Sequence, residues 1–165
     1  MSWKQKNLNK LNKRLLANQK KIKPKGISRI GVLCQGQDQS RIKRTLEKFF
    51  ELDASDIWLM DFVEKNKHTL EDDHWFSELD FSLFGRLKYN KLEEFVKKDF
   101  DLLINYQNQP SVFLNHINLH SNAGFKVGLI EADLDGLDME IRECNNDIDL
   151  MNSEIVKYLK ILKII

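Results

Sequence analysis

The sequence predicts an α/β fold: a single three-layer domain with a mostly parallel, Rossmann-like sheet of five or six strands between helices. The stretch Phe100–Ile130 has the pattern strand, helix, strand, and Ile27–Val63 repeats that order. The strand segments in both stretches are mostly apolar, as expected for parallel strands covered on both faces. We therefore expect the following residues to be buried: Ile30, Val32, Leu33, Ile57, Leu59, Leu102, Leu103, Ile104, Val127 and Leu129.

The N-terminal segment predicts a basic amphipathic helix over Met1–Lys23. Leucine and isoleucine recur there at roughly helical spacing, with lysine and asparagine between them. Pro24 and Gly26 end the pattern.

The first βαβ unit is predicted within Ile27–Val63. Its strands are Ile27–Cys34 and Ile57–Val63, and Asp38 or Ser40 can cap the helix between them. The crossover of such a unit should be right-handed.

The segment that follows is the least regular part of the chain. The cluster Glu71–His74 is mostly acidic and favours a solvated loop over a cation site, because it lacks the alternating spacing of a calcium loop. Phe81–Phe84 predicts a short edge strand before Gly85. Leu92, Phe95 and Val96 then mark a short helix.

The central and C-terminal elements complete the predicted domain. Strands are expected at Asp101–Tyr106 and Phe125–Ile130, with a helix between Pro110 and Leu119. A last strand is expected at Met139–Cys144, and Asp147 can cap a terminal helix.

The two cysteines, Cys34 and Cys144, match no zinc spacing, so we expect two reduced thiols that neither pair nor take part in catalysis. No apolar run is long enough to span a membrane, and the basic N-terminus lacks the apolar stretch of a secretory signal. These features together predict a cytoplasmic protein.

Charge is divided unevenly along the chain. Residues 1–26 carry +9 and no acid, whereas residues 27–165 carry −8, which predicts a basic arm on an acidic domain. Such an arm can contact an anionic partner, namely RNA, the ribosome or a membrane surface, or it can dock on its own domain. The predicted contact residues are Lys4, Lys6, Lys10, Lys13, Arg14, Lys20 and Lys21.

No motif predicts a catalytic residue, a metal site or a cofactor. His116 and His120 share a helix face, but no third ligand is evident. Cys34 ends a strand, where nucleophiles occur in α/β enzymes, but no activating base is visible. Gln35-Gly36-Gln37 has one glycine and no following Lys-Ser or Lys-Thr pair, so it is not a phosphate loop.

A ligand, if present, is expected outside the carboxyl ends of the strands, where the strand order reverses. The predicted ligand-binding residues are Gln35, Gln37, Asp38, Asn105, Tyr106, Gln107 and Glu131, and loop solvation with helix capping is the alternative explanation of their polarity.

Several segments carry a resemblance to a known family: ISRIGVLC, IWLMDFVEK, LFGRLK, FDLLINYQ, FKVGLI and EIVKYLKIL. With the basic helical start, they resemble an uncharacterised family of small α/β proteins from Bacteroidota, a domain of unknown function. That family offers no catalytic residue to carry over. A weaker fold likeness links FDLLINYQ and AGFKVGLI to the N-terminal half of heptosyltransferase-like glycosyltransferases.

Two functions remain open from the sequence. The leading hypothesis is a non-enzymatic cytoplasmic binding protein that contacts an anionic partner through its basic arm. The alternative is a small enzyme or ligand-binding domain of glycosyltransferase-like fold that acts at the strand ends.

Overall fold

The computed structural model of the chain describes residues 1–19, 22–64, 74–142 and 147–165. Within those residues the chain forms five α-helices and six strands. In chain order they are α1 (Trp3–Ala17), β1 (Ile30–Cys34), α2 (Gln39–Phe50), β2 (Ile57–Phe62), β3 (Trp75–Phe76), α3 (Asn90–Lys97), β4 (Leu102–Asn105), α4 (Val112–His120), β5 (Phe125–Leu129), β6 (Met139–Ile141) and α5 (Ile148–Ile161).

The six strands form one sheet in the order β3-β2-β1-β4-β5-β6, and every neighbouring pair is parallel. The strand order runs outward in both directions from β1 and β4. Val32 of β1 accordingly pairs with Leu59 of β2 on one side and with Ile104 of β4 on the other. The predicted α/β domain with a parallel sheet is confirmed.

Helices cover both faces of the sheet. On one face α2 and α5 pack on side chains such as Val32 and Ile104, and on the other face α1, α3 and α4 pack on side chains such as Leu33 and Leu103. All ten strand residues predicted to be buried are at most 4% exposed. Alternate strand residues supply the two cores because successive side chains of a strand point to opposite faces.

Some predicted boundaries differ from those in the structure. The first helix ends at Ala17 rather than Lys23, and the last strand ends at Ile141. Asp38 and Asp147 cap α2 and α5 as predicted, through hydrogen bonds to backbone N–H groups. Lys20, Lys21, Cys144 and Glu71–Asp73 lie outside the described residues.

The edge strand predicted at Phe81–Phe84 is wrong. The edge of the sheet beyond β2 is formed by β3, which pairs with Asp61 and Phe62 of β2. Phe81 instead forms a single antiparallel bridge with Leu87 across a turn. Gly85 at φ +76° and the Ser82 hydroxyl, which accepts hydrogen bonds from the N–H groups of Phe84 and Arg86, shape that turn.

Candidate functional site

Helix α1 lies on the domain and packs against α4. Its first turn is held by a capping box, in which the Ser2 hydroxyl accepts from Gln5 N–H and Gln5 Oε1 accepts from Ser2 N–H. Leu8 is fully buried in the core between α1, α3 and α4. The division at residue 26 into arm and domain stays a prediction, but the helical part of the arm is docked.

Polar contacts hold the docked helix at several points. The Lys4 ammonium donates to the carbonyl oxygen of Glu78 at 2.8 Å, and Asn7 Nδ2 donates to the carbonyl oxygen of Leu83 at 3.1 Å. Asn12 is buried and donates to the carbonyl oxygen of Val112. Lys4 therefore serves as an internal anchor, although the sequence placed it among the residues that contact a partner.

The opposite face of α1 carries a row of cations, which we call the basic stripe: Lys6, Lys10, Lys13 and Arg14. All four side chains are exposed. Their spacing from Lys6 is four, seven and eight residues, which places them on one helix face. None of the four forms an ion pair with a residue that the structure describes.

A second exposed feature, the apolar patch, consists of Trp3, Leu83 and Phe84. The rings of Trp3 and Phe84 pack edge to face, with centroids 6.4 Å apart. Trp3 precedes Lys6 by three residues and Lys10 by seven, so it lies on the same side of α1 as the basic stripe. The sequence contained no signal for this pairing, because Trp3 and Phe84 are 81 residues apart.

The predicted ligand-binding residues differ widely in their exposure. Gln35, Asp38 and Glu131 are exposed, Gln37 is half-buried, and Asn105, Tyr106 and Gln107 are buried.

The loop after β1 is held by the buried Asp61 of β2. Its carboxylate accepts hydrogen bonds from Gly36 N–H at 3.0 Å and from Gln39 Nε2 at 2.8 Å. Gln35 N–H is likewise occupied, by Gln37 Oε1. Because both N–H groups are occupied and Asp38 caps α2 with negative charge, this loop is a poor cradle for a phosphate.

The end of β4 is largely structural. Asn105 Nδ2 donates to Asn118 Oδ1 and to the carbonyl oxygen of Val127. The Tyr106 hydroxyl donates to Asn152 Oδ1 at 2.6 Å, and burial raises the pKa of this phenol. The Asn105 side chain joins the end of β4 to α4 and to the neighbouring strand β5. The Tyr106 side chain joins it to α5.

Gln107 is different from its neighbours. Its side chain is 1% exposed, yet among the described residues neither its amide nitrogen nor its amide oxygen has a hydrogen-bond partner, whereas in Asn105 only Oδ1 lacks one. An unpaired buried amide is costly, so this position stands out at the carboxyl end of the sheet.

A shallow depression of about 410 Å³ lies at the carboxyl ends of β1 and β2, near the start of α4. Gln35 is the only predicted ligand residue among those that line it. Two of its lining residues, Glu64 and Glu78, are acidic, and none of the described lining residues is basic. The depression therefore does not suit an anionic ligand.

His116 and Cys34 are held in surroundings that stabilise the fold and leave neither side chain available for metal binding or catalysis. His116 places both ring nitrogens against oxygen atoms, Asn12 Oδ1 at 2.6 Å and the carbonyl oxygen of Gly85 at 3.0 Å, so neither nitrogen is free for a metal. Cys34 is fully buried, and burial raises the pKa of its thiol, with the Asp61 carboxylate raising it further.

Among the described residues, no cluster of three potential metal ligands occurs, and no helix is long and apolar enough to cross a membrane.

A family model matches residues 2–162, nearly the whole chain. Comparisons with curated proteins and with solved structures found no match. The predicted resemblance to a family without assigned function is thereby confirmed, whereas none of the comparisons supports an origin in Bacteroidota or a likeness to glycosyltransferases. The chain belongs to the family of unknown function DUF6913.

Proposed function

We propose that this protein is a cytoplasmic binding protein that engages an anionic partner through the basic stripe of α1. The observation that carries the proposal is the orientation of the docked helix. Leu8 and Asn12 face the domain and are buried, while the four cations of the stripe face outward.

The charge distribution supports this proposal. The domain behind α1 is acidic, at −8 over residues 27–165, but the stripe forms no ion pair with its described residues. Apolar packing and polar contacts hold α1 in place, so docking does not use the four positive charges. A row of exposed cations on a fixed helix attracts anionic surfaces and phosphate chains.

A quadruple substitution tests the proposal: Lys6, Lys10, Lys13 and Arg14 each changed to Gln. Retention on single-stranded RNA and on anionic vesicles at low salt is expected to fall. For RNA, the slope of log K against log salt should become shallower by roughly 3 if all four cations contact phosphates, because each contact releases about 0.7 of a counterion.

The matched control removes four exposed cations from α2 and α5, on the other face of the sheet: Arg44, Lys48, Lys157 and Lys160, each changed to Gln. This control has the same net charge as the test variant and should bind like the parent chain. Equal loss of retention in both variants would show a non-specific charge effect, and unchanged retention in the test variant would refute the proposal.

Gln107 favours a second candidate function, a Rossmann-like domain that binds a polar ligand at the strand ends. Its unpaired, buried amide lies at the carboxyl end of β4, beside the point where the strand order reverses. A ligand with neighbouring donor and acceptor groups could satisfy both ends of this amide.

A thermal-shift screen of polar metabolites, run on the parent chain and on Gln107→Leu, tests this candidate. A ligand that stabilises the parent but not the variant would support it. If no metabolite binds and Gln107→Leu raises the free energy of unfolding by roughly 1–3 kcal/mol, the amide is only an unsatisfied polar group. Gln109→Leu, an exposed change in the same loop, is the control.

A further inference from the structure

We propose that the anionic partner is a lipid bilayer, and that the apolar patch of Trp3, Leu83 and Phe84 inserts into it beside the basic stripe. This inference rests on the proposed function, because the stripe supplies the attraction to anionic headgroups. It adds a chemical class of partner and a second set of contact residues.

The three side chains of the apolar patch are well exposed. Trp3 is 58% exposed, Leu83 50% and Phe84 76%. Contiguous exposed apolar side chains are uncommon on soluble proteins unless the surface has a binding role. Burial in the boundary between headgroups and acyl chains would remove these three side chains from water.

Hydrogen bonds hold the patch outward. The Ser82 hydroxyl accepts from Phe84 N–H at 3.3 Å and from Arg86 N–H at 2.9 Å, so the turn projects Leu83 and Phe84. Asn7 on α1 ties this turn to the helix through the carbonyl oxygen of Leu83. The capping box at Ser2 fixes the first turn of α1, which carries Trp3. The patch is thus pre-formed by two elements that contact each other.

The arrangement of charge around the patch fits a bilayer surface. Trp3 begins the outward face of α1, and Lys6 and Lys10 continue along it. Arg86, two residues after Phe84 in the same turn, is a further exposed cation. Proteins that bind a membrane surface combine these parts: an aromatic anchor at the boundary and lysines among the anionic headgroups.

The same geometry favours lipid over single-stranded RNA. Proteins that bind single-stranded RNA stack successive bases on the faces of aromatic side chains. The ring planes of Trp3 and Phe84 are inclined at 79° and the two rings pack against each other, while the third member of the patch, Leu83, has no ring. Insertion into acyl chains has no such requirement, because the hydrophobic effect is not directional.

Vesicle flotation tests the inference. The full chain is mixed with vesicles of phosphatidylcholine alone or of phosphatidylcholine with phosphatidylglycerol. We expect the chain to bind the vesicles that contain phosphatidylglycerol and not those of phosphatidylcholine alone. Brominated acyl chains should quench the emission of Trp3 in a variant in which Trp58 and Trp75 are changed to Phe.

The decisive variant is Trp3→Ala with Phe84→Ala, which keeps every charge of the stripe. We expect its affinity for anionic vesicles to fall by about tenfold or more, because two aromatic anchors are lost. Tyr158→Ala with Ile161→Ala removes two exposed apolar side chains from α5 and is the matched control. Flotation of the parent chain gives a result even if the tryptophan variant fails to fold.

The possible results separate the two proposals. Stripe-dependent binding to RNA without binding to either vesicle would overturn the lipid inference and leave the proposed function standing. Vesicle binding that survives in the Trp3 and Phe84 variant, without quenching, would overturn insertion and indicate electrostatic adsorption alone. Binding to neither RNA nor vesicles would overturn both proposals.

Discussion

The Nδ1 atom of His116 on α4 lies 2.6 Å from the Oδ1 atom of Asn12 on α1. The other ring nitrogen, Nε2, lies 3.0 Å from the carbonyl oxygen of Gly85. One buried imidazole thus contacts the docked helix and the turn that projects the apolar patch. A neutral imidazole has a single N–H, so it can donate to one of the two oxygen atoms at a time.

The His116 position predicts a loss of stability in mild acid. Burial, together with the neighbouring His120, lowers the pKa of His116 to about 4, and the hydrogen bond to the Gly85 carbonyl opposes this shift only in part. In the unfolded chain an ordinary histidine has a pKa of about 6.5, so between these values the unfolded state binds a proton that the native state does not. Stability contributed by the neutral ring is therefore present above about pH 6.5 and is lost as the pH falls towards 4.

Urea unfolding at pH 7.5 and at pH 5.5 measures this effect. The parent chain should lose on the order of 1–2 kcal/mol between these pH values through His116. His116→Gln, which has no titratable ring at this position, should show a smaller loss. Identical pH profiles for the parent and His116→Gln would contradict this explanation.

Gly85 predicts a specific packing cost. A Cβ atom at this position would lie 2.5 Å from Leu11 Cδ1 and 3.2 Å from both Leu8 Cδ2 and His116 Cε1. Gly85→Ala should therefore lower the free energy of unfolding by about 1–2 kcal/mol for its positive φ and by about 1–3 kcal/mol for crowding against α1.

Gly36→Ala is the matched control for Gly85→Ala. Gly36 has nearly the same φ, +77°, but no atom lies within 4 Å of the position where a Cβ would be placed. The difference between the two variants, measured by denaturant unfolding, isolates the contact with α1. Equal losses of unfolding free energy in the two variants would mean that a Cβ at position 85 does not crowd α1.

The contribution of α1 to stability can be measured by truncating Leu8. It is fully buried, so Leu8→Ala should lower the free energy of unfolding by about 2–5 kcal/mol. Leu16→Ala on the same helix, where the side chain is 40% exposed, should cost less than about 1 kcal/mol. If both changes were nearly neutral, α1 would be a loosely attached arm.

Cys34 predicts slow thiol chemistry. The side chain is fully buried, and its raised pKa keeps it in the unreactive thiol form at neutral pH. In a Cys144→Ser chain, which leaves one thiol, alkylation should be limited by opening of the native structure and become fast in denaturant. Fast alkylation of the native chain near neutral pH would instead favour the enzyme hypothesis.

The parallel core could be predicted from the amino-acid sequence alone. Segments such as ISRIGVLC and FDLLINYQ are too apolar for a strand with one solvated face, and all ten strand residues expected in the core are buried. The basic charge of α1 and the capping by Asp38 and Asp147 are also local properties, so composition and spacing reveal them.

Which elements contact one another depends on the tertiary structure. It placed the edge strand at Trp75–Phe76, docked α1 on α4, and brought Trp3 against Phe84. It also separated the predicted ligand residues into exposed loops and buried supports, and it left the Gln107 amide buried without a hydrogen-bond partner in the part of the chain that the structure describes. The periodicity of apolar residues predicts which side chains of a segment are buried. It does not predict which other element they pack against, because contacts between distant segments depend on the packing of the whole chain.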